Sequence, residues 1–176
     1  MSPPVLESAR LRLRPMTLDD AAAIHLVYAD EMAMRWWSHA PHISVEETRE
    51  SLARHIADPA WRSWAITLAG DDTAIGSLAA HEKRQGKVVE IGYSLVRSHW
   101  GQGYAREAVA RLIDRLIREE GMRRVFADTD PENDASNRLL ESLGFAREGH
   151  LRGEWETHIG VRDSLIWGLL AEEWTR

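Results

Sequence analysis

The sequence predicts an α+β fold, a mixed and mostly antiparallel sheet of about seven strands flanked by about four helices. Three observations predict it. Three strand-like segments follow one another with only short turns between them. The hydrophobic period then switches from two to that of a helix near Ala105. Each of the two later helical segments is followed by a return to strand, so the order is neither a pure βαβ alternation nor all-β.

Taken in order, Arg10-Leu11-Arg12-Leu13-Arg14 alternates strictly and reads as a strand with one polar face. Thr17-Leu18-Asp19-Asp20 puts a cap and acids ahead of Ala21, opening a helix that reaches about Tyr28. A short turn is expected near Met32–Trp37. Ser44 with Glu47 three residues later forms a capping box for a helix ending near Ile56. Strands are expected at Trp61–Ala69, Thr73–His81 and Lys87–Val96, joined by Gly70-Asp71-Asp72 and by a turn holding Gln85-Gly86. Ala105, Ala108, Val109, Leu112, Ile113, Leu116 and Ile117 recur at helical spacing up to Gly121. A short strand Arg123–Asp128, a helix bearing Leu139, Leu140 and Leu143, and two closing strands at Phe145–Trp155 and His158–Leu169 follow. Leu170–Trp174 closes the chain with a helical turn.

The 176 residues predict one domain over residues 1–176, with its core at about 10–170. There are no cysteines, which excludes disulfides, thiolate zinc sites and a cysteine nucleophile. A net charge of -6 argues against a nucleic-acid partner. No signal peptide and no apolar run of membrane-spanning length is read, so a cytoplasmic protein without a membrane partner is expected. The eight histidines show no H-E-x-x-H or similar spacing, and no metal is expected.

The chemistry concentrates where the third strand meets the most regular helix, at Trp100-Gly101-Gln102-Gly103-Tyr104-Ala105. Glycines let the backbone turn sharply there and approach a ligand. The amides of a helix start have no internal partner and favour an anion, so this is a phosphate cradle without a lysine. Walker A spacing is absent, and G-x-G-x-x-G lacks its third glycine at Arg106. A tight strand–helix joint without a ligand is the plain structural alternative.

These residues resemble the acyl-CoA loop Q/R-x-x-G-x-G/A of the GNAT acetyltransferase superfamily, with Trp100 in place of the usual Gln or Arg. Asn133-Asp134-Ala135-Ser136-Asn137, Leu143-Gly144-Phe145 and Glu148-Gly149-His150-Leu151-Arg152 resemble its branch of ribosomal-protein N-terminal acetyltransferases. The resemblance runs from Arg10 to Trp174. It implies an N-acetyltransferase that uses acetyl-CoA as co-substrate and passes the acetyl group directly to a primary amine. The acceptor is either a protein N-terminal α-amine or a small molecule such as an amino acid, polyamine or aminoglycoside. A non-catalytic acyl-CoA-binding module is a further alternative, as is a nucleotide-binding oxidoreductase. A monomer or a homodimer fits equally.

An α-amine, with a reference pKa of about 7.7–8.0, asks less of a base than a lysine at about 10.4. Glu90 is the candidate base, an acid flanked by Val88, Val89 and Ile91 whose burial would raise its pKa. The resemblance assigns main-chain contacts with the acyl carbonyl and pantetheine arm to Ser94, Leu95 and Val96. It assigns proton donation to the leaving thiolate to Ser136, and hydrogen bonds to the pantetheine amides to Asn133 and Asn137, helix capping being the other reading of Asn133. The loop residues Trp100, Gly101, Gln102, Gly103, Tyr104 and Ala105 are expected on the pyrophosphate. Arg97 and Arg106 are candidates for the CoA phosphates. Met34, Trp36, Trp37 and Trp155 are candidate walls of the acceptor pocket.

Overall fold

The computed structural model describes residues 2–175. Eight strands form one sheet in the order β1-β2-β3-β4-β5-β6-β8-β7. The strands are β1 (Leu6–Glu7), β2 (Leu11–Pro15), β3 (Trp61–Leu68), β4 (Gly76–Arg84), β5 (Val88–Leu95), β6 (Arg124–Thr129), β7 (Ala146–Thr157) and β8 (Gly160–Leu170). Every neighbouring pair is antiparallel except β5 and β6. Five α-helices accompany them: α1 (Ala21–Tyr28), α2 (Glu31–Met34), α3 (Val45–Ala57), α4 (Tyr104–Asp114) and α5 (Asp134–Ser142).

The alternation of the strands sorts the core into two layers. Trp64 and Ile66 of β3 join Leu11, Leu13, the α4 residues Val109, Leu112 and Ile113, and Leu140 of α5. Ala65, between them in sequence, joins Ile24 and Val27 of α1, Met34 of α2 and Leu52 of α3. The sheet is thus covered by α4 and α5 on one face and by α1–α3 on the other.

The strand and helix order expected from periodicity is present, with several differences. Leu6–Glu7 adds an eighth strand, too short to show a period, by pairing with Arg12 and Leu13. The short turn expected near Met32–Trp37 is the helix α2, started by Asp30, whose carboxylate accepts the amides of Met32 and Ala33. The strand expected from Thr73 starts at Gly76, because the Asp71 side chain holds Thr73 in a turn. Ser44 caps α3 as expected, but Glu47 reaches past it to the amide of Ile43. The α4 helix continues through one π-helical turn, Arg115–Glu119, and ends at Gly121 with φ +68°.

The polar face of β2 meets solvent at Arg12 but holds a buried ion pair at its end. Arg14 and Asp20, with side chains 13% and 6% exposed, meet at 2.6 Å. Burial opposes ionisation of Asp20, yet hydrogen bonds from Arg14 and Thr17 outweigh it and hold the carboxyl below its usual range. That stability is present above the unfolded pKa of about 3.9 and is lost as pH falls through the lower folded value. Asp20→Asn should destabilise the protein by about 2 kcal/mol at pH 7, since it removes the charge-assisted bonds to Asp20 and leaves Arg14 only the exposed Asp72. The deficit should shrink in urea melts repeated below about pH 3, where the wild-type carboxyl is itself protonated.

Candidate active site

The site begins where a strand pair comes apart. The parallel register of β5 and β6 covers only Val88–Glu90 against Arg124–Phe126, although β5 continues to Leu95 and β6 to Thr129. Backbone alternation decides which groups of β5 face the gap. Val96 donates its amide to Ile75 on the β4 side at 2.8 Å, whereas the carbonyl of Lys87 accepts from Arg123 on the β6 side at 3.0 Å. Odd-numbered residues therefore turn their amides and carbonyls toward β6, and past Glu90 those of Tyr93 and Leu95 face the opening. Ser94 lines the cleft but its backbone groups face β4. The Val96 amide, expected on the acyl carbonyl, is committed to Ile75.

Two cavities meet at the opening. The larger, about 960 Å³, lies between the ends of α2, α4 and α5 and is floored by Tyr93, Ser94 and Leu95. The smaller, about 280 Å³, holds Glu90 and Asp128. Tyr93, Asn133 and Ser136 line both. The hydroxyls of Tyr93 and Ser136 are 2.7 Å apart, and burial pushes the Tyr93 phenol up to about 12 against the opposing hydrogen bond.

Of the expected loop residues, Trp100, Gly101, Gly103, Tyr104 and Ala105 line the large cleft, joined by Arg106. Gly101 and Gly103 have φ of +74° and +78°, a region that other residues rarely enter. A Cβ on Gly101 would meet nothing within 4 Å, so the turn borders open space. The first intrahelical bond of α4 runs from Glu107 to Gly103, which leaves the amides of Tyr104, Ala105 and Arg106 without helical partners. This strand–turn–helix cradle fits a pyrophosphate.

Trp100 does something that Gln or Arg at this position would do differently. Its indole donates to the Leu95 carbonyl at 2.9 Å and braces the end of β5 from the loop. Gln102 bonds the Ser98 carbonyl and offers its own carbonyl to Arg10, so its side chain stays out of the cleft lining. Arg97 pairs with Asp30 at 3.0 Å and ties the loop to the start of α2 instead of lining the cleft. Asn137 is also placed elsewhere. Its oxygen accepts from Thr129 and Trp167 and its amide donates to the carbonyls of Asp130 and Pro131, which uses its hydrogen-bonding capacity within the fold. Asn133 accepts the Ser136 amide at 3.2 Å as a helix cap and still borders both cavities.

Sequence reasoning passed over Tyr93, Arg10 and Asp128 as site residues. Arg10 lies 4.6 Å from the Tyr104 ring centre, pairs with Glu107 at 2.7 Å and bonds Gln102, pinning the cradle to the edge of β2. Asp128 receives hydrogen bonds from Ser164 and, at 3.1 Å, from Trp155. Burial raises its carboxyl above the usual range, the two hydrogen bonds oppose this, and the charge of Glu90 adds to it. Arg162 grips Asp130 at 2.7 and 2.9 Å and, against the effect of burial, holds it below its usual range. Among the described residues no cluster of three His, Cys, Asp or Glu could hold a metal ion, and no helix is long and apolar enough to cross a membrane.

Residues 10–146 match the family model for the acetyltransferase (GNAT) domain, and the chain belongs to that family. It is an N-acetyltransferase by that membership and by its curated relatives. It is 33% identical over 175 residues to the uncharacterized N-acetyltransferase p20 of Bacillus licheniformis, covering 96% of this chain and 97% of that one. Spermidine N-acetyltransferase from Vibrio cholerae, solved in complex with CoA and spermine, superposes with a TM-score of 0.84 at 25% identity, over 96% of this chain and 100% of that one. The ribosomal L7/L12 alpha-N-protein acetyltransferase RimL, solved with coenzyme A, gives 0.83 at 22% identity, over 95% of this chain and 98% of that one, and shows the shared fold.

Two glycines test the architecture. A Cβ on Gly76 would collide with the Ser94 carbonyl and sit 2.7 Å from Leu95 Cδ2, so Gly76→Ala should displace the end of β5 and lower both stability and acetyl-CoA affinity. Gly103→Val forces a branched side chain into positive φ, a strain of about 1–2 kcal/mol. It should weaken acetyl-CoA binding about tenfold, the equivalent of roughly 1.4 kcal/mol. Calorimetric titration beside a thermal melt separates the two effects.

Proposed function

We propose that this protein transfers an acetyl group from acetyl-CoA directly to a primary amine, with the thioester in the large cleft and the amine in the small pocket. The observation that carries the reading is the junction: a larger and a smaller cavity share Tyr93, Ser136 and Asn133, with Trp36 and Trp37, at the point where β5 leaves β6. Acetyl-CoA supplies an activated acyl carbon, and the chain supplies the rest.

Glu90, on the wall of the small pocket, takes a proton from the incoming ammonium. The neutral amine forms the C–N bond, and the negative charge that develops on the carbonyl oxygen is met by backbone amides at the opened edge of β5, with Leu95 the best placed. The C–S bond then breaks. Ser136 donates a proton to the departing sulfur as the nitrogen of the adduct sheds its second proton, which restores the serine hydroxyl by way of solvent in the cleft, and Tyr93 stands behind Ser136. A phenol that stays protonated to about pH 12 donates into a serine lone pair and leaves the serine proton free for the sulfur. The products are an N-acetyl amide and the free thiol of CoA.

The relatives differ in acceptor: spermidine in one, a ribosomal protein in another. The family alone does not choose between them, and the choice falls to the small pocket of this chain.

Titration with acetyl-CoA, using NAD as control ligand, should give saturable binding for the first and none for the second. A folded sample that binds neither defeats the reading. Glu90→Gln should lower kcat/KM for the amine by roughly 10²–10⁴-fold while acetyl-CoA affinity stays near wild type. Ser136→Ala should lower kcat by roughly 10²-fold with the same control. Wild-type turnover in either variant removes that residue from the chemistry.

A further inference from the structure

Four tryptophans line the small pocket: Trp36 and Trp37 after α2, at the mouth it shares with the large cleft, Trp61 at the start of β3, and Trp155 on β7. The cavity, at about 280 Å³, lies at the compact end of small-ligand sites. Its carboxylates are not equivalent. Asp130 is neutralised by Arg162 at 2.7 and 2.9 Å, and Asp163 accepts from His150 and from the Gly153 amide, both at 2.8 Å. Asp128 instead receives its hydrogen bonds from neutral donors, the Ser164 hydroxyl and the Trp155 indole, which orient the carboxylate without cancelling its charge. Glu90 lines the same cavity, and its charge opposes ionisation of Asp128. A cation between them relieves that repulsion.

His81, opposite Glu90 in the β4–β5 ladder, adds a second polar group to the pocket. Its Nδ1 is buried with no hydrogen-bond partner among the described residues, and its ring centre lies 4.8 Å from that of Trp61. A buried polar atom of this kind calls for a partner from a ligand or a water.

We propose that the small pocket selects a compact monoamine with a flat apolar body, an arylalkylamine in chemical class, whose ammonium sits between Glu90 and Asp128 and whose ring is held by the tryptophans. The inference rests on the acetyl-transfer reading above. Tryptophan faces attract an ammonium through their quadrupole and bury an apolar ring. A polyamine needs a second exposed negative charge one chain length away. In this pocket Arg162, 5.4 Å from the Trp36 ring centre, already holds Asp130 and Glu132, and His150 with the Gly153 amide holds Asp163. A peptide N-terminus would bring backbone amides against tryptophan walls, where each needs a hydrogen-bond partner.

The test is an initial-rate assay of the full chain with acetyl-CoA, following release of free thiol. Phenethylamine and tryptamine are compared with spermidine and with peptides beginning in Ala or Ser. The expected result is a kcat/KM for the two arylalkylamines at least tenfold above that of every other acceptor. Faster transfer to spermidine or to a peptide overturns this inference and leaves acetyl transfer standing. Transfer to none of them, with acetyl-CoA bound, also overturns this inference. Asp128→Asn gives an independent readout, a tenfold or larger rise in KM for phenethylamine with acetyl-CoA affinity within twofold of wild type. An unchanged amine KM in that variant also overturns the assignment.

Discussion

The early end of the β5–β6 ladder is the constraint on which the rest of the site depends. Strands that stayed paired to Leu95 and Thr129 would spend their backbone groups on each other and leave no cleft between them. Because pairing stops at Glu90, the amides of Tyr93 and Leu95 face an opening while β4 still holds the other edge of β5. A half-paired strand is rigid on one side and chemically available on the other, which is what a preorganised oxyanion donor requires. The larger and smaller cavities are the two sides of that one opening.

Much of the surrounding structure keeps the opening in place. Gly76 allows β4 to pass close under Ser94 and Leu95, and Trp100 ties the Leu95 carbonyl to the loop. Arg10 pins the same loop to the β2 edge through Glu107 and Gln102. Asn137 fastens the start of α5 to β6 and β8, and so fixes where Ser136 meets Tyr93. Several residues that a motif would assign to the ligand thus hold the frame that the ligand enters.

The cradle was legible because each part of it is local. Glycines at positive φ, a helix start and an apolar helical stripe all lie within one short segment, and Gly101, Gly103, Tyr104 and Ala105 line the cleft as their spacing suggests. Glu90 was legible as an acid among β-branched neighbours. The contacts of Arg97 and Asn137 were illegible for a shared reason: both are good phosphate or amide ligands by type, and their partners, Asp30 and the pair Thr129 and Trp167, come from other elements. Asp128 carried no local signal. It sits in a polar run, Asp128-Thr129-Asp130, where alternation cannot say which carboxylate is compensated. Arg162 on β8 compensates Asp130, and Ser164 on the same strand gives Asp128 only a neutral donor.

By itself the sequence determined the order of the main strands and helices and the glycine turn that opens α4, because period, capping and glycine spacing act over a few residues, while the class of chemistry came from the resemblance to a family. Only the tertiary structure decided where the sheet opens, which amides face the gap, and which carboxylate has only neutral hydrogen-bond donors in the tryptophan-lined pocket. Those outcomes depend on contacts between segments far apart in the chain, such as Arg162 with Asp130 and Trp100 with Leu95, and hydrogen-bond saturation and desolvation are set only when such segments meet.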